Sequence, residues 1–196
     1  MINKLTWFFG SVLLLLTFLV MIFSFKNDIE TPEYKIIETF GEVEIRHYPN
    51  MVVAKTNLND KSFDKQGSSG FRTIANYIFG GNEKNEKIAM TAPVVMNMGD
   101  SASMYFVMPR KYKKNELPKP DSKNVEIVEE TEKNLAVIKY GGYSNDQKIE
   151  KYRNLLQEEL EKNHIKTIGN YMYMGYNAPW DFINRRNEVA IEVVLK

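Results

Sequence analysis

The stretch Gly70–Val95, GFRTIANYIFGGNEKNEKIAMTAPVV, sets the alternation of helix and strand against which the rest of the chain is read. Phe71, Ile74, Ala75 and Ile78 stand at i, i+3, i+4 and i+7, one apolar stripe of a helix that begins near Phe63. Gly80-Gly81 ends it, because glycine takes the backbone turn that stops a helix. Asn82 to Lys87 is a charged loop. A buried strand opens at Met90-Thr91-Ala92-Pro93-Val94 and runs to about Met98.

Toward the N-terminus, Met51–Thr56 reads as a buried strand and Pro49-Asn50 as a turn. Before the turn, Val43, Ile45 and His47 alternate with Glu42, Glu44 and Arg46, the period of a half-buried strand. Tyr34–Glu38 leads into Gly41 as another. Toward the C-terminus, Gly99-Asp100-Ser101 joins the first strand to Met104–Met108, and Pro109–Ser122 is a long surface connection. The order then repeats. Val125–Glu129 and Leu135–Tyr140 read as strands, and Gly141-Gly142 breaks the pattern. Ser144-Asn145-Asp146 offers caps for a helix through about Asn163, with Ile149, Tyr152, Leu156 and Leu160 inward. Tyr171–Tyr176 and Glu188–Leu195 close the chain. Two helices with about eight strands make an α+β domain, and hairpin-length connections favour antiparallel pairing.

The N-terminus is different in kind. Leu5 to Phe25 carries no charge and lies between Lys4 and Lys26. As a helix it covers roughly 30 Å, a bilayer core. It is longer than a signal-peptide apolar region and lacks a small-residue cleavage site, so an uncleaved transmembrane anchor is favoured over a cleaved signal, which would release the protein as secreted. Residues 1–26 are then anchor or signal, 27–33 a linker and 34–196 the domain. Lys4 and the short tail favour an N-terminus inside and a domain outside the cytoplasm, periplasmic in a bacterium. The formal charge of +1 implies no field for nucleic acid. Zero cysteines exclude disulfides, thiolate zinc sites, Cys nucleophiles and a lipoprotein anchor. Oligomeric state stays open.

Three segments carry a resemblance: Tyr77–Val94, Gly175–Val189 and the motif Glu44-Ile45-Arg46-His47-Tyr48. Together they resemble the SOUL haem-binding protein family, over about Tyr34 to Val194. The resemblance implies a distorted antiparallel β-barrel, built from a duplicated β-α-β-β unit with two flanking helices. It implies haem or another tetrapyrrole as ligand, held in one of two ways. One is axial ligation by a histidine at the position of His47. The other is an apolar cleft by the first helix and the loop before the last strand, here Phe71 to Ile78 and Ala178 to Phe182.

The candidate haem-binding residues are therefore His47, Phe71, Arg72, Ile74, Ile78, Pro179, Trp180, Phe182 and Arg185, with His47 the candidate metal ligand. Imidazole ligates haem iron through one neutral nitrogen. Against that stands a histidine packed on the face of Val43 and Ile45. Trp180 and Phe182 sit in a loop where a flat ring system would stack, or fold down over the end of the barrel. Arg72 and Arg185 could pair with propionates, and Arg186 reads as turn structure before the last strand. Met90, Met96 and Met98 read as packing before soft ligation, and His164 as a helix-end cap. No nucleophile–base–acid set is apparent, so the expected role is non-catalytic binding, buffering or transport. The alternatives are a small-molecule effector-binding or hydrolase domain with Glu188 as a buried carboxylate near Tyr176 and Trp180, and an interaction module without a ligand.

Overall fold

The computed structural model describes residues 29–178, 181 and 183–195. The expected anchor at residues 5–25 lies outside them, as do Pro179, Trp180 and Phe182. No helix among the described residues is long and apolar enough to cross a membrane.

In chain order the elements are β1 (Lys35–Phe40), β2 (Val43–Tyr48), β3 (Met51–Asn57), α1 (Phe63–Ile78), β4 (Val94–Asn97), β5 (Ser103–Val107), a 3-10 turn (Lys114–Glu116), β6 (Glu126–Glu130), β7 (Lys133–Tyr140), α2 (Asp146–Lys162), β8 (Lys166–Gly175) and β9 (Asn187–Val194). Helix α1 buries Ile74, Tyr77 and Ile78 against the sheet, each stabilising by about 1.5–3 kcal/mol. Gly70 lets it approach closely: a Cβ there would lie 2.8 Å from Leu58 Cδ2. The charged loop after α1 is ordered by one buried side chain. Asn82 donates to the carbonyls of Tyr77 and Glu86 and accepts from the amides of Lys84 and Glu86.

All strand pairs are antiparallel, in the order β1-β2-β7-β9-β8-β4-β5-β3-β6. The duplication is visible as β2-β3-α1-β4-β5 followed by β6-β7-α2-β8-β9. Each unit's leading strand is exchanged: β2 pairs with β7 of the second unit, and β6 with β3 of the first. So the short turn at Pro49-Asn50 does not join a hairpin, although its length suggested one. Its flanking strands diverge to opposite halves of the sheet. The strand expected at Met90–Met98 is shorter, because Pro93 lacks the donor a ladder needs and Thr91 instead bridges to Glu30 and donates to the Val107 carbonyl.

The expected barrel is not closed. β1 pairs with β2 alone and β6 with β3 alone, leaving two edges. With nine strands paired antiparallel throughout, the two end strands run in the same direction, so they cannot close an all-antiparallel barrel. The open sheet nevertheless curls. One face packs under both helices around Ile45, Ile74, Phe106, Leu156 and Ile191. The other buries Tyr48, Val53, Val95, Tyr105, Val137, Met172 and Ala190 in one cluster drawn from seven strands, with no helix residue in it. Strand twist lets the sheet bend over this inner face and cover it with itself.

Candidate functional site

Because side chains alternate along a strand, β2 sends Val43 and Ile45 toward the helices and Arg46 and Tyr48 into the inner face. Arg46 is 0% exposed, as is Glu188 on β9. Their pairing is two-pronged: Arg46 Nη1 donates to Glu188 Oε2 (2.9 Å) and Nη2 to Oε1 (3.1 Å). Arg186 adds Nε and Nη2 on the same Oε1, at 3.0 and 2.7 Å, and the Tyr176 hydroxyl donates to Oε2 at 2.8 Å. Arg46 also donates to Glu44 (2.7 Å) and Tyr48 (3.1 Å), and the Tyr34 ring lies 4.3 Å beneath its guanidinium. Arg186 is thus part of a buried network, where the sequence suggested turn structure. Arg46 was missed because strand alternation alone marks it as solvent-facing.

Burial pushes the Glu188 carboxyl up, but the hydrogen bonds and charges of Arg46 and Arg186 outweigh that and hold it below its ordinary value. Burial also pushes the Tyr48 phenol up, to about 12, against the pull of Arg46. The Tyr176 phenol goes up through burial and the adjoining Glu188 carboxylate. At neutral pH the cluster therefore holds two guanidiniums on one carboxylate, with neutral phenols around them. Glu188 already receives five hydrogen bonds. A cationic ligand would have to displace a buried arginine to use it, which weighs against the effector-site reading.

His47 stands apart from this network. It pairs with Asn134 of β7, and its Nδ1–H donates to Asn134 Oδ1 at 3.0 Å. In the neutral ring that bond puts the proton on Nδ1 and the lone pair on Nε2. The side chain is 35% exposed, and Nε2 lies 3.9 Å from a Glu132 carboxylate oxygen. Among the described residues no group of three His, Asp or Glu could cage a bare metal ion. A single imidazole suits an iron whose other ligands come from a macrocycle.

The remaining candidates divide. Phe71 packs against Phe106 with ring centroids 5.3 Å apart, and Ile74 and Ile78 are buried beneath α1. In this conformation they support the helix and offer little surface to a ligand. Arg72 is exposed. Arg185 is spent on its own loop: Nη1 donates to the carbonyls of Ala178 (2.8 Å) and Asp181 (2.5 Å), and the guanidinium lies over the Tyr143 ring at 4.4 Å. Register separates these places. His47 sits opposite Asn134, whereas Asn187, two residues after Arg185, sits opposite Tyr140. Along β7 those positions are about 20 Å apart at ~3.3 Å per residue. A macrocycle centred on His47 leaves Arg185 beyond its rim.

Two surface cavities are lined by none of the network residues. A polar groove of about 420 Å³ lies between the end of β3, α1 and Lys123–Glu126, and a cavity of about 350 Å³ lies between Pro32-Glu33, Pro49–Val52, Val107–Arg110 and Glu129–Thr131. Neither is lined by His47, Phe71, Arg72, Ile74, Ile78 or Arg185.

Residues 29–192 match the sequence profile of the family described as SOUL heme-binding protein. The chain belongs to that family. Among relatives of this SOUL protein, human Heme-binding protein 2 is 30% identical over 176 residues, covering 82% of this chain and 84% of its own. Heme-binding protein 1 of Xenopus laevis is 25% identical, covering 85% and 93%. The SOUL fold also superposes on the C-terminal domain of EcmrR with a TM-score of 0.59, at 12% identity, over 83% of this chain and 99% of that one. At that identity the likeness concerns fold alone.

Proposed function

We propose that this SOUL protein binds haem or a related tetrapyrrole without transforming it, as a buffer or carrier tethered to a membrane by residues 5–25. The domain then faces away from the cytoplasm. Family membership across nearly the whole domain supports the ligand class. The observation that carries the site is His47, a part-exposed side chain with Nδ1 tied to Asn134 and no hydrogen bond at Nε2 among the described residues. Bound haem supplies an iron that accepts an imidazole lone pair. The chain's part is to hold that imidazole in one tautomer, through Asn134. The uncharged, mostly apolar run Leu5–Phe25 supports the tether.

Haemin titration of the full chain in detergent tests the reading through the Soret band. The wild-type chain should shift the band. His47→Ala should abolish the ligation-dependent part of the shift and weaken binding by about tenfold or more, whereas Arg185→Ala should leave both intact. Loss on Arg185→Ala with His47→Ala unchanged would move the site to the other end of the sheet. A wild-type chain with no spectral response would sink haem binding altogether.

A further inference from the structure

The two free edges of the sheet differ in charge pattern. β6, EIVEE, carries glutamates at 126, 129 and 130 and no cation, so full-length antiparallel pairing with a second β6 sets Glu126 opposite Glu130 twice. That edge is guarded against self-association. β1, KIIETF, is not. The side chains of Lys35 and Glu38 have no hydrogen-bond or ion-pair partner among the described residues. Ile36 and Ile37 between them are 53% and 48% exposed. A bulge between Ile36 and Glu38 and a single lysine are devices that usually protect an edge. Here the protection is incomplete, because two adjacent isoleucines remain in water.

We propose that β1 is a homodimer interface, in which the β1 strands of two copies pair antiparallel about a two-fold axis between Ile36 and Ile37. In that register Lys35 of one copy meets Glu38 of the other, twice, and Ile36 meets Ile37, twice. The segment is complementary to itself in both charge and polarity, as an isologous contact requires. The outer backbone groups of β1, which have no ladder partner in the monomer, gain one. The two sheets then run through the dimer as one. A β1–β6 contact would instead be head-to-tail, propagating into open chains unless its rotation closes into a ring. The proposal does not depend on the haem reading.

The test is the oligomeric state of the full chain in detergent, by sedimentation velocity over a concentration series. The wild-type chain should dimerise. Lys35→Glu alone and Glu38→Lys alone should each raise the concentration for half-dimerisation by about tenfold or more, since both cross-strand pairs turn repulsive. The double variant Lys35→Glu/Glu38→Lys should restore it. A monomeric wild type overturns the proposal. So does a dimer indifferent to both single substitutions, which would be built through another segment, or a double variant that stays monomeric. Concentration-dependent growth beyond the dimer overturns it as well, in favour of the head-to-tail contact.

Discussion

At the residue scale, the most consequential side chains are Arg46 and Glu188, two charges removed from water on the inner face of the sheet. Such a pair is expensive to bury and gives little net stability, but breaking it is costly. Glu188→Gln should lower stability by about 3 kcal/mol, the lower end for a broken buried pair, because Arg46 loses its buried counterion and keeps only the part-exposed Glu44 carboxylate. Equilibrium denaturation measures that loss. The pair also sets a pH dependence. The native Glu188 carboxyl sits below its ordinary value, so the unfolded chain binds the extra proton as pH falls. The contribution is fully present above the ordinary carboxylate value of about 4.3 and is lost as pH drops through the native one. Wild-type denaturation midpoints should hold from neutral to about pH 5 and decline below about pH 4, more steeply than in Glu188→Gln. His47, by contrast, makes one side-chain hydrogen bond, to Asn134, and its Nε2 lies 3.9 Å from a Glu132 carboxylate oxygen. Of the two prominent residues in Glu44–Tyr48, the histidine is the one proposed to meet the ligand, and the arginine holds the sheet.

At the element scale, the two helices share their amino ends. Asp146, in the first turn of α2, accepts from Ser62 Oγ (2.5 Å) and from the Phe63 amide (2.7 Å) at the start of α1. Asp64 of α1 returns a bond to the Asp146 amide at 3.2 Å. Each helix thus helps satisfy the other's open donors, where a negative charge is also favoured by the helix dipole. Asp146→Ala should cost about 1–2 kcal/mol, the range for a lost cap. It should also speed amide exchange in the first turn of α1, not just α2. No change at Phe63 would mean that Ser62 caps α1 unaided. The elements were largely legible in the sequence. The apolar stripe of α1, its Gly-Gly stop, the caps of α2 and the period-two strands are local patterns. Local propensity and burial agree there. The sharing of Asp146 was not legible, because it joins residues 83 and 84 positions apart.

At the scale of the whole molecule, the open sheet is strapped by the segment entering it. Glu30 bridges to Thr91, its carbonyl accepts from the Ala92 amide (2.9 Å), and Arg110 holds the Glu30 and Glu33 carboxylates. A few residues later Tyr34 packs on Arg46 and Tyr48 in the other half of the sheet. Arg110→Ala should accelerate exchange of the Ala92 amide while leaving the centre of β9 unchanged, as hydrogen-exchange mass spectrometry would show. An unaltered Ala92 would mean that Tyr34 alone holds the strap. The same scale separates what the two sources of information decide. Sequence by itself determined the α+β class, the duplicated order of elements and the family motifs, and offered His47 as a candidate, because periodicity, breakers and motifs are written in consecutive residues. Tertiary structure decided the rest. It exchanged the leading strands so that a two-residue turn joins no hairpin, left the sheet open, and buried Arg46 beside Glu188. It also set His47 and Arg185 at opposite ends of the same strands. Each of these depends on which strands become neighbours, and pairing between distant segments is fixed by register, charge and burial across the sheet.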